Sequence, residues 1–235
     1  RTKLKKTGTK EGCAEGGCGA CTVVLGELKD NEINYKAINS CITLLPVLEG
    51  KQLILVEDLI TKKGKLHPVQ EEMVKCHASQ CGFCTPGFVM ALFSMFKKNS
   101  SFKDDAIKDS IAGNLCRCTG YKPIIKAAKN LKNKKKIDHF SQNLESTIKM
   151  IKKINNKSIE IYRNNKRYFA PRNVQELKKI LKKNTNTNLL SGGTDLSLNI
   201  TKERKDINSI IYMSSISELN YIKNNNKYIE IGAST

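Results

Sequence analysis

The sequence predicts an α+β chain of several domains. Three observations carry this. The first part has strand patterning behind a glycine-rich loop. The middle carries helical periodicity with helix-start signals. The last part alternates helix and strand, after a stretch dense in lysine and asparagine. At 235 residues, 39% hydrophobic and 27% charged, the chain has enough apolar material for folded cores, and a wholly disordered chain is excluded. The longest mostly apolar run lies near Phe88–Phe96, far short of the roughly 20 residues of a membrane-spanning helix. Nine cysteines is an odd number and argues against a fully disulfide-paired secreted scaffold.

In chain order, residues 1–61 read as β-rich. Cys21–Leu28 and Ile33–Cys41 are strand-like runs about a polar turn at Lys29–Glu32, and Gln52–Val56 is a further short strand. The loop Gly12–Gly19 precedes the first of them. Residues 62–131 read as four helices. Pro68 marks the first helix start, with Val69, Met73 and Cys76 at helical spacing. Thr85 as cap with Pro86 at N1 opens the second, whose apolar face is Phe88, Val89, Leu92, Met95 and Phe96. Ile107, Ile111 and Leu115 mark the third. Pro123 opens the fourth, with Ile124, Ala127, Ala128 and Leu131. Residues 132–167 read as a polar linker with a helix around Leu144–Ile154. In residues 168–235, Asn173 caps a helix with apolar face Val174, Leu177, Ile180 and Leu181. Strands are expected at Asn188–Ser191, Ile210–Met213 and Tyr228–Ile231. Beginning at Arg1 and ending at Thr235 without a stop signal, the chain reads as a fragment open at both ends.

The net charge of +19 raises nucleic acid as a partner. Its distribution argues otherwise. Residues 1–120 have a net charge of +4 and residues 121–235 one of +15, most of it in residues 122–167. The basic residues are 35 lysines against 6 arginines, among 22 asparagines, whereas phosphate and base readers favour arginine forks and interleaved aromatics. The expectation is a solvated surface, with no nucleic acid and no membrane partner.

The cysteines carry the chemistry. Cys13, Cys18 and Cys21 are spaced C-x4-C-x2-C, and Cys41 follows after 19 residues. This is the plant-type [2Fe–2S] spacing, in which three thiolates converge from one loop and the fourth comes from elsewhere. Gly12, Gly16, Gly17 and Gly19 let backbone N–H groups approach the sulfurs. Zinc sites favour paired C-x2-C knuckles instead. Cys81 and Cys84 form C-x2-C, and Cys116 and Cys118 form C-x-C after 31 residues. Each pair is followed by Thr and then Pro ahead of a helix, which places both at helix N-termini. By spacing, zinc and a second [2Fe–2S] cluster both suit this set. Cys76 reads as a buried apolar residue, and His67, His77 and His139 are too scattered to act as ligands.

GTKEGCAEGGCGACTVV, SQCGFCTPGFVM and GNLCRCTGYKP together resemble the iron–sulfur region of the xanthine dehydrogenase family of molybdenum hydroxylases. YFAPRNVQELKKIL and NLLSGGTDLSLNITK resemble the start of that family's FAD-binding domain. The resemblance is greatest to the bacterial-type small subunit that joins clusters and flavin. It implies a β-grasp ferredoxin-like domain, a four-helix [2Fe–2S]-binding domain and the first part of a flavin domain of the vanillyl-alcohol-oxidase type. Cys13, Cys18, Cys21 and Cys41 would then ligate the cluster nearer the flavin. Cys81, Cys84, Cys116 and Cys118 would ligate the cluster nearer molybdenum. Gln80 and Cys118 match positions that approach molybdopterin. Leu189, Leu190, Ser191, Gly192, Gly193, Thr194, Asp195 and Leu196 match the loop around the FAD pyrophosphate.

The resemblance further implies a cytoplasmic enzyme with two [2Fe–2S] clusters and FAD. Its partner would be a large molybdenum-binding subunit carrying molybdopterin and binding the purine (xanthine or hypoxanthine), and NAD+ would be the electron acceptor. It also implies an opening hairpin ahead of Arg1 and a flavin-domain remainder beyond Thr235. Two other readings remain: the equivalent subunit of an aldehyde, carbon monoxide or aromatic hydroxylase, and a zinc-stabilised basic module for RNA.

Overall fold

The computed structural model describes residues 3–98, 101–134, 137–154 and 157–235. Arg1, where the fragment reading begins, and Lys135, Lys136, Asn155 and Asn156 of the expected linker lie outside the described residues. The chain divides into two compact units, Arg1–Thr43 with Leu48–Ile154, and Leu44–Val47 with Asn155–Thr235.

The first unit opens on a long loop and then a hairpin. Strand β1 (Thr22–Lys29) pairs antiparallel with β2 (Glu32–Asn39). Asp30 and Asn31 form the turn with φ of 49° and 63°, the left-handed pair that a two-residue hairpin needs. Strand β3 (Gln52–Ile54) lies on the other side of β1, giving the order β2-β1-β3. Helices α1 (Pro68–Lys75), α2 (Thr85–Lys97), α3 (Asp104–Ile111) and α4 (Lys122–Asn130) follow. Every residue of α2 from Gly87 to Phe96 is buried. A helix enclosed on all sides carries no polar face, and the run FVMALFSMF accordingly has Ser94 as its single polar member. Ser94 donates to the carbonyl of Tyr35 at 3.0 Å, tying α2 to the sheet. Phe88, Phe93 and Phe96 of α2 pack with Val24, Tyr35 and Ile54 of the sheet and with Ile107 and Ile124 of α3 and α4.

Thr85 does not cap α2. It is the first residue of the helix, Cys84 holds the cap position, and the Thr85 hydroxyl instead meets that of Ser79 at 2.8 Å. Nor is Cys76 enclosed. It ends α1 half-buried, with its sulfur 3.5 Å from Nδ2 of Asn130.

The polar stretch read as a linker carries regular structure. Helix α5 (His139–Gln142) and helix α6 (Leu144–Ile154) belong to the first unit. Its anchor is Asp138, which caps α5 by accepting from the N–H of Ser141 at 2.8 Å. The same carboxylate receives Nε2 of His67 at 3.1 Å and Nζ of Lys97 at 3.0 Å. His67 caps α1 in turn, its Nδ1 accepting from the N–H of Val69 at 3.3 Å. With Nδ1 accepting from Val69, Nε2 is the ring nitrogen that faces the Asp138 carboxylate. Phe140 then packs against Phe93 with ring centres 5.3 Å apart.

In the second unit, β4 (Ile159–Arg163) and β5 (Lys166–Ala170) form a hairpin. Asn173 caps α7 (Val174–Lys183) by accepting from the N–H of Glu176 at 2.8 Å. Leu177 is buried on α7, while Leu181, expected on the same face, is 37% exposed at its edge. Strand β6 (Asn188–Leu190), helix α8 (Leu196–Thr201) and strand β7 (Ser209–Tyr212) complete a sheet of order β4-β5-β7-β6, in which β5, β7 and β6 run parallel. A separate hairpin, β8 (Ile222–Asn225) and β9 (Tyr228–Ile231), follows. The chain is thus α+β. Among the described residues no helix is long and apolar enough to cross a membrane.

Burial raises the Asp138 carboxyl, but the His67 and Ser141 N–H groups and the Lys97 ammonium outweigh it and hold the group well below the usual carboxylate range. Asp138→Ala leaves the Lys97 charge enclosed and unpaired, and is expected to cost about 3–5 kcal/mol in denaturant unfolding. Because the folded-state pKa is depressed, the contribution of Asp138 is complete above its ordinary value near 3.8 and is lost as pH falls below it. The variant should therefore show a flatter stability curve in acid. An unfolding midpoint equal to that of the native protein would show that the network contributes nothing.

Candidate metal and cofactor sites

The hairpin register builds the first thiol set. Thr22 pairs with Asn39 at the open end of β1 and β2. The residues just beyond, Cys21 and the short turn Ser40–Ile42 that holds Cys41, are therefore neighbours. Ser40 donates from both its N–H (3.3 Å) and its hydroxyl (2.8 Å) to the Cys21 carbonyl. The Cys21 and Cys41 sulfurs lie 3.2 Å apart. The glycine-rich loop supplies the other two. The N–H groups of Gly17 and Cys18 both donate to the Cys13 sulfur at 3.3 Å, and the Cys18 thiol hydrogen-bonds the same sulfur. The side chain of Asn39 donates to the Gly16 carbonyl at 2.7 Å and pins the loop. Gly16 has φ of 78°, and a Cβ there would lie 2.6 Å from Cδ1 of Ile42. The positive φ favours glycine, and a side chain there would also have to displace the tip of Ile42.

The second set comes from the two loops between helices. Cys81 and Cys84 lie between α1 and α2, and Cys116 and Cys118 between α3 and α4. Cys84 stands at the start of α2, as expected. Cys118 does not stand at a helix end: Thr119, Gly120 and the cap residue Tyr121 separate it from α4. Tyr121 adopts φ of 65°, an unusual left-handed state for an aromatic residue. Its hydroxyl accepts from the N–H of Cys116 at 2.9 Å, and its ring packs edge-on against Phe88. Thr119 brings its hydroxyl to 3.1 Å and its N–H to 3.4 Å from the Cys116 sulfur. Cys84 meets Cys116, and Cys81 meets Cys118, at hydrogen-bonding range.

The thiols of each set are electrically unlike. Burial raises Cys13, but the amides of Glu15, Cys18 and Gly17 prevail and bring it down to about 7. Burial, then the Cys21 sulfur, pushes Cys41 up to about 12. Burial, then Cys116, does the same to Cys84. Burial opposes ionisation of Cys116, but the hydroxyl and amide of Thr119 win and lower it. Cys81 raises Cys118. Sulfurs this close cannot all ionise unless cationic charge is brought among them. Among the described residues no three His, Cys, Asp or Glu side chains are gathered tightly enough for a single metal ion. Instead the thiols meet in pairs, Cys13 with Cys18, Cys21 with Cys41, Cys84 with Cys116 and Cys81 with Cys118. Two pairs suit a centre of two metal atoms better than one tetrahedral ion, and the donor chemistry fits iron–sulfur clusters. Cys81, Cys118 and Gln80 are exposed.

In the second unit, Leu189 and Leu190 end β6, with Leu190 buried and Leu189 half-exposed. The loop Ser191–Asp195 then leaves the carboxyl end of a parallel strand, the edge at which open sheets of this kind take ligands. Gly193 has φ of 83°, and its carbonyl accepts from the N–H of Ser197 at 3.1 Å. A Cβ on Gly192 would meet nothing within 4 Å, and Thr194 and Asp195 are exposed. Leu196 begins α8. The loop after β7 joins this one through Ser214, whose hydroxyl donates to the Ser191 carbonyl at 3.3 Å. The exposed amides and the Thr194 hydroxyl form a donor surface that fits a phosphate-bearing group. Sequence reasoning missed Asn39, Thr119, Tyr121 and Ser214. The first three stand one to three residues from a cysteine, which is the one signal that marks them.

Two families match the chain. One described as a [2Fe-2S] binding domain covers residues 55–129. One described as an FAD binding domain in molybdopterin dehydrogenase covers residues 160–235. Xanthine dehydrogenase of Blastobotrys adeninivorans is 53% identical over 131 residues, 54% of this chain and 9% of that protein. Aldehyde oxidase 1 of Rattus norvegicus is 45% identical over 131 residues, 55% of this chain and 10% of that protein. The crystal structure of quinoline 2-oxidoreductase from Pseudomonas putida 86 is 34% identical, covering 61% of this chain and 78% of that one, with a TM-score of 0.46. The chain spans about a tenth of the length of the curated relatives it matches. Residues 55–129 thus belong to the [2Fe-2S] binding domain family and residues 160–235 to the FAD binding domain family of molybdopterin dehydrogenases, and the chain is similar to the iron–sulfur and FAD-binding region of the molybdenum hydroxylases, the xanthine dehydrogenases and aldehyde oxidases.

Proposed function

We propose that this chain is the electron-transfer subunit of a molybdenum-dependent, NAD+-reducing xanthine dehydrogenase of the cytoplasm. The observation that carries this is the meeting of eight cysteine thiols in four pairs within one compact unit, two pairs from each of the spaced cysteine sets. Cys13, Cys18, Cys21 and Cys41 hold one [2Fe–2S] cluster, and Cys81, Cys84, Cys116 and Cys118 hold the other. The clusters would supply one-electron carriage from a molybdenum centre on the large partner subunit to FAD, and the flavin would supply the two-electron hydride transfer to NAD+. The protein's own part is to hold the sulfurs and to set their environment. Amides on Cys13 and the Thr119 hydroxyl on Cys116 stabilise negative charge on sulfur, and such hydrogen bonds raise a cluster's potential. Gln80, Cys81 and Cys118 are exposed, which suits an approach by the partner's molybdopterin. Leu189–Leu196 wraps the FAD pyrophosphate, with Gly192, Gly193 and Thr194 as donors.

An aldehyde-oxidising relative is the second reading, because a named aldehyde oxidase matches at nearly the same identity as a xanthine dehydrogenase. A panel of xanthine, hypoxanthine and aldehydes on the assembled complex, with NAD+ as acceptor, separates the two. Turnover of aldehydes alone would overturn the purine assignment.

Anaerobically purified chain should carry about four iron and four acid-labile sulfide. Cys84→Ser should lose roughly half of each and one of two paramagnetic signals after dithionite. About two zinc per chain without colour would remove the electron-transfer reading altogether. For the flavin loop, Gly193→Val forces a β-branched residue to positive φ, a cost of about 1–2 kcal/mol. The expected result in the complete subunit is loss of bound FAD with both cluster signals retained. Unchanged flavin content would remove this loop from the site.

A further inference from the structure

Asn114 is a buried polar side chain, 5% exposed, two residues ahead of Cys116. Its carboxamide reaches out of its own loop to the other cysteine set. Nδ2 donates to the Gly19 carbonyl at 2.9 Å and to the Thr22 hydroxyl at 3.1 Å. Gly19 follows Cys18, and Thr22 follows Cys21. The next amide, that of Leu115, donates to the Cys18 carbonyl at 2.9 Å. The space for this contact exists because two side chains are missing. A Cβ on Gly19 would lie 2.5 Å from Nδ2 of Asn114 and 2.2 Å from the Gly113 carbonyl. A Cβ on Gly87, in the first turn of α2 after Cys84, would lie 2.9 Å from the same Nδ2 and 2.2 Å from the Gly19 carbonyl. Both N–H groups of one carboxamide are therefore used across the boundary between the two thiol sets, in a gap that admits no other atom.

A buried amide with both donors satisfied fixes distance and direction together. Generic packing would do neither, since an apolar side chain in this gap would tolerate sliding. We propose that Asn114 is a positioning residue that sets the separation and relative orientation of the two iron–sulfur centres, and so the coupling between them. This rests on the two-cluster reading above. Asn114 touches neither cluster's sulfurs in its assigned role; it acts through Gly19 and Thr22 on one side and through the chain to Cys116 on the other.

The test uses the full chain, loaded anaerobically with iron and sulfide and fully reduced with dithionite. Two reduced clusters held at a fixed separation split each other's paramagnetic resonance lines. Asn114→Asp keeps the shape but turns a carboxylate oxygen toward the Gly19 carbonyl. Thr22→Val removes the second acceptor, together with the Thr22 hydroxyl's own bond to the Gly19 carbonyl at 2.6 Å, and leaves the Asn114 bond to that carbonyl in place. Both variants are expected to keep native iron content and both individual signals, with the mutual splitting lost or shifted in Asn114→Asp and changed less, in the same direction, in Thr22→Val. If Asn114→Asp takes up no iron, Thr22→Val alone decides. Splitting identical to the native protein's in a loaded variant overturns the role of Asn114 and leaves the two-cluster reading intact. Native protein with fewer than two signals overturns both.

Discussion

The arrangement depends on holding thiols in contact before any charge is available to reconcile them. Two sulfurs in contact repel as soon as both ionise, so the backbone must fix each pair independently. In the first set this is done by strand register. The pairing of Thr22 with Asn39 leaves Cys21 and Cys41 no freedom to separate without unzipping the hairpin. In the second it is done by a strained turn. Tyr121 is kept at positive φ by its hydroxyl on the Cys116 amide and its ring on Phe88. Backbone strain of this sort costs of order 1–3 kcal/mol and persists where its surroundings over-determine it.

What over-determines it is α2. No side chain caps this helix, which forgoes about 1 kcal/mol. The three phenylalanines at its centre are fully buried, and each contributes roughly 1.5–3 kcal/mol, so burial decides where the helix lies. That position serves both sets. Cys84 begins α2, Gly87 faces the first cysteine loop, Phe88 steadies Tyr121, and Ser94 holds β2. The two sets are thus parts of one packed body rather than two beads on a string.

Much of this was legible in the sequence, and the exceptions share a cause. The hairpin, the four helices, the Asn173 cap and the helix Leu144–Ile154 follow from local periodicity and turn chemistry. Spacing suggests two sets of four thiols, of which the structure brings together the pairs Cys13–Cys18, Cys21–Cys41, Cys84–Cys116 and Cys81–Cys118. Thr85 was misread because its hydroxyl had a competing partner in Ser79, which no local pattern shows. Asp138 looked like one charge in a lysine-rich tract, yet it meets a histidine 71 residues earlier. Strands β4 and β5 went unread because β4 and the start of β5 lie in the lysine- and asparagine-rich stretch taken as a linker, although Ile159, Glu160 and Ile161 alternate as a strand does. Leu181 was assigned to a buried face one position too wide. Asn114 stood within a cysteine motif and drew no attention, since its partners lie more than ninety residues away.

The basic excess resolves into two populations with different physics. A few lysines neutralise buried carboxylates: Lys97 on Asp138 at 3.0 Å, and Lys134 on Glu72 at 2.7 Å, where the carboxylate side chain is only 5% exposed. These are close pairs in a poorly polarisable surrounding, and salt screens them little. Many others among the described residues line water. On α6, Lys149, Lys152 and Lys153 border a shallow depression with Asn31 and Glu145, and Lys152 donates to the Asn31 side chain at 2.7 Å. Exposed charges of that kind contribute to solubility and encounter rates rather than to the fold. A net charge read from composition therefore overstates what electrostatics does for this structure: most of it is hydrated, and the part that organises the protein is carried by cations whose partners are buried carboxylates.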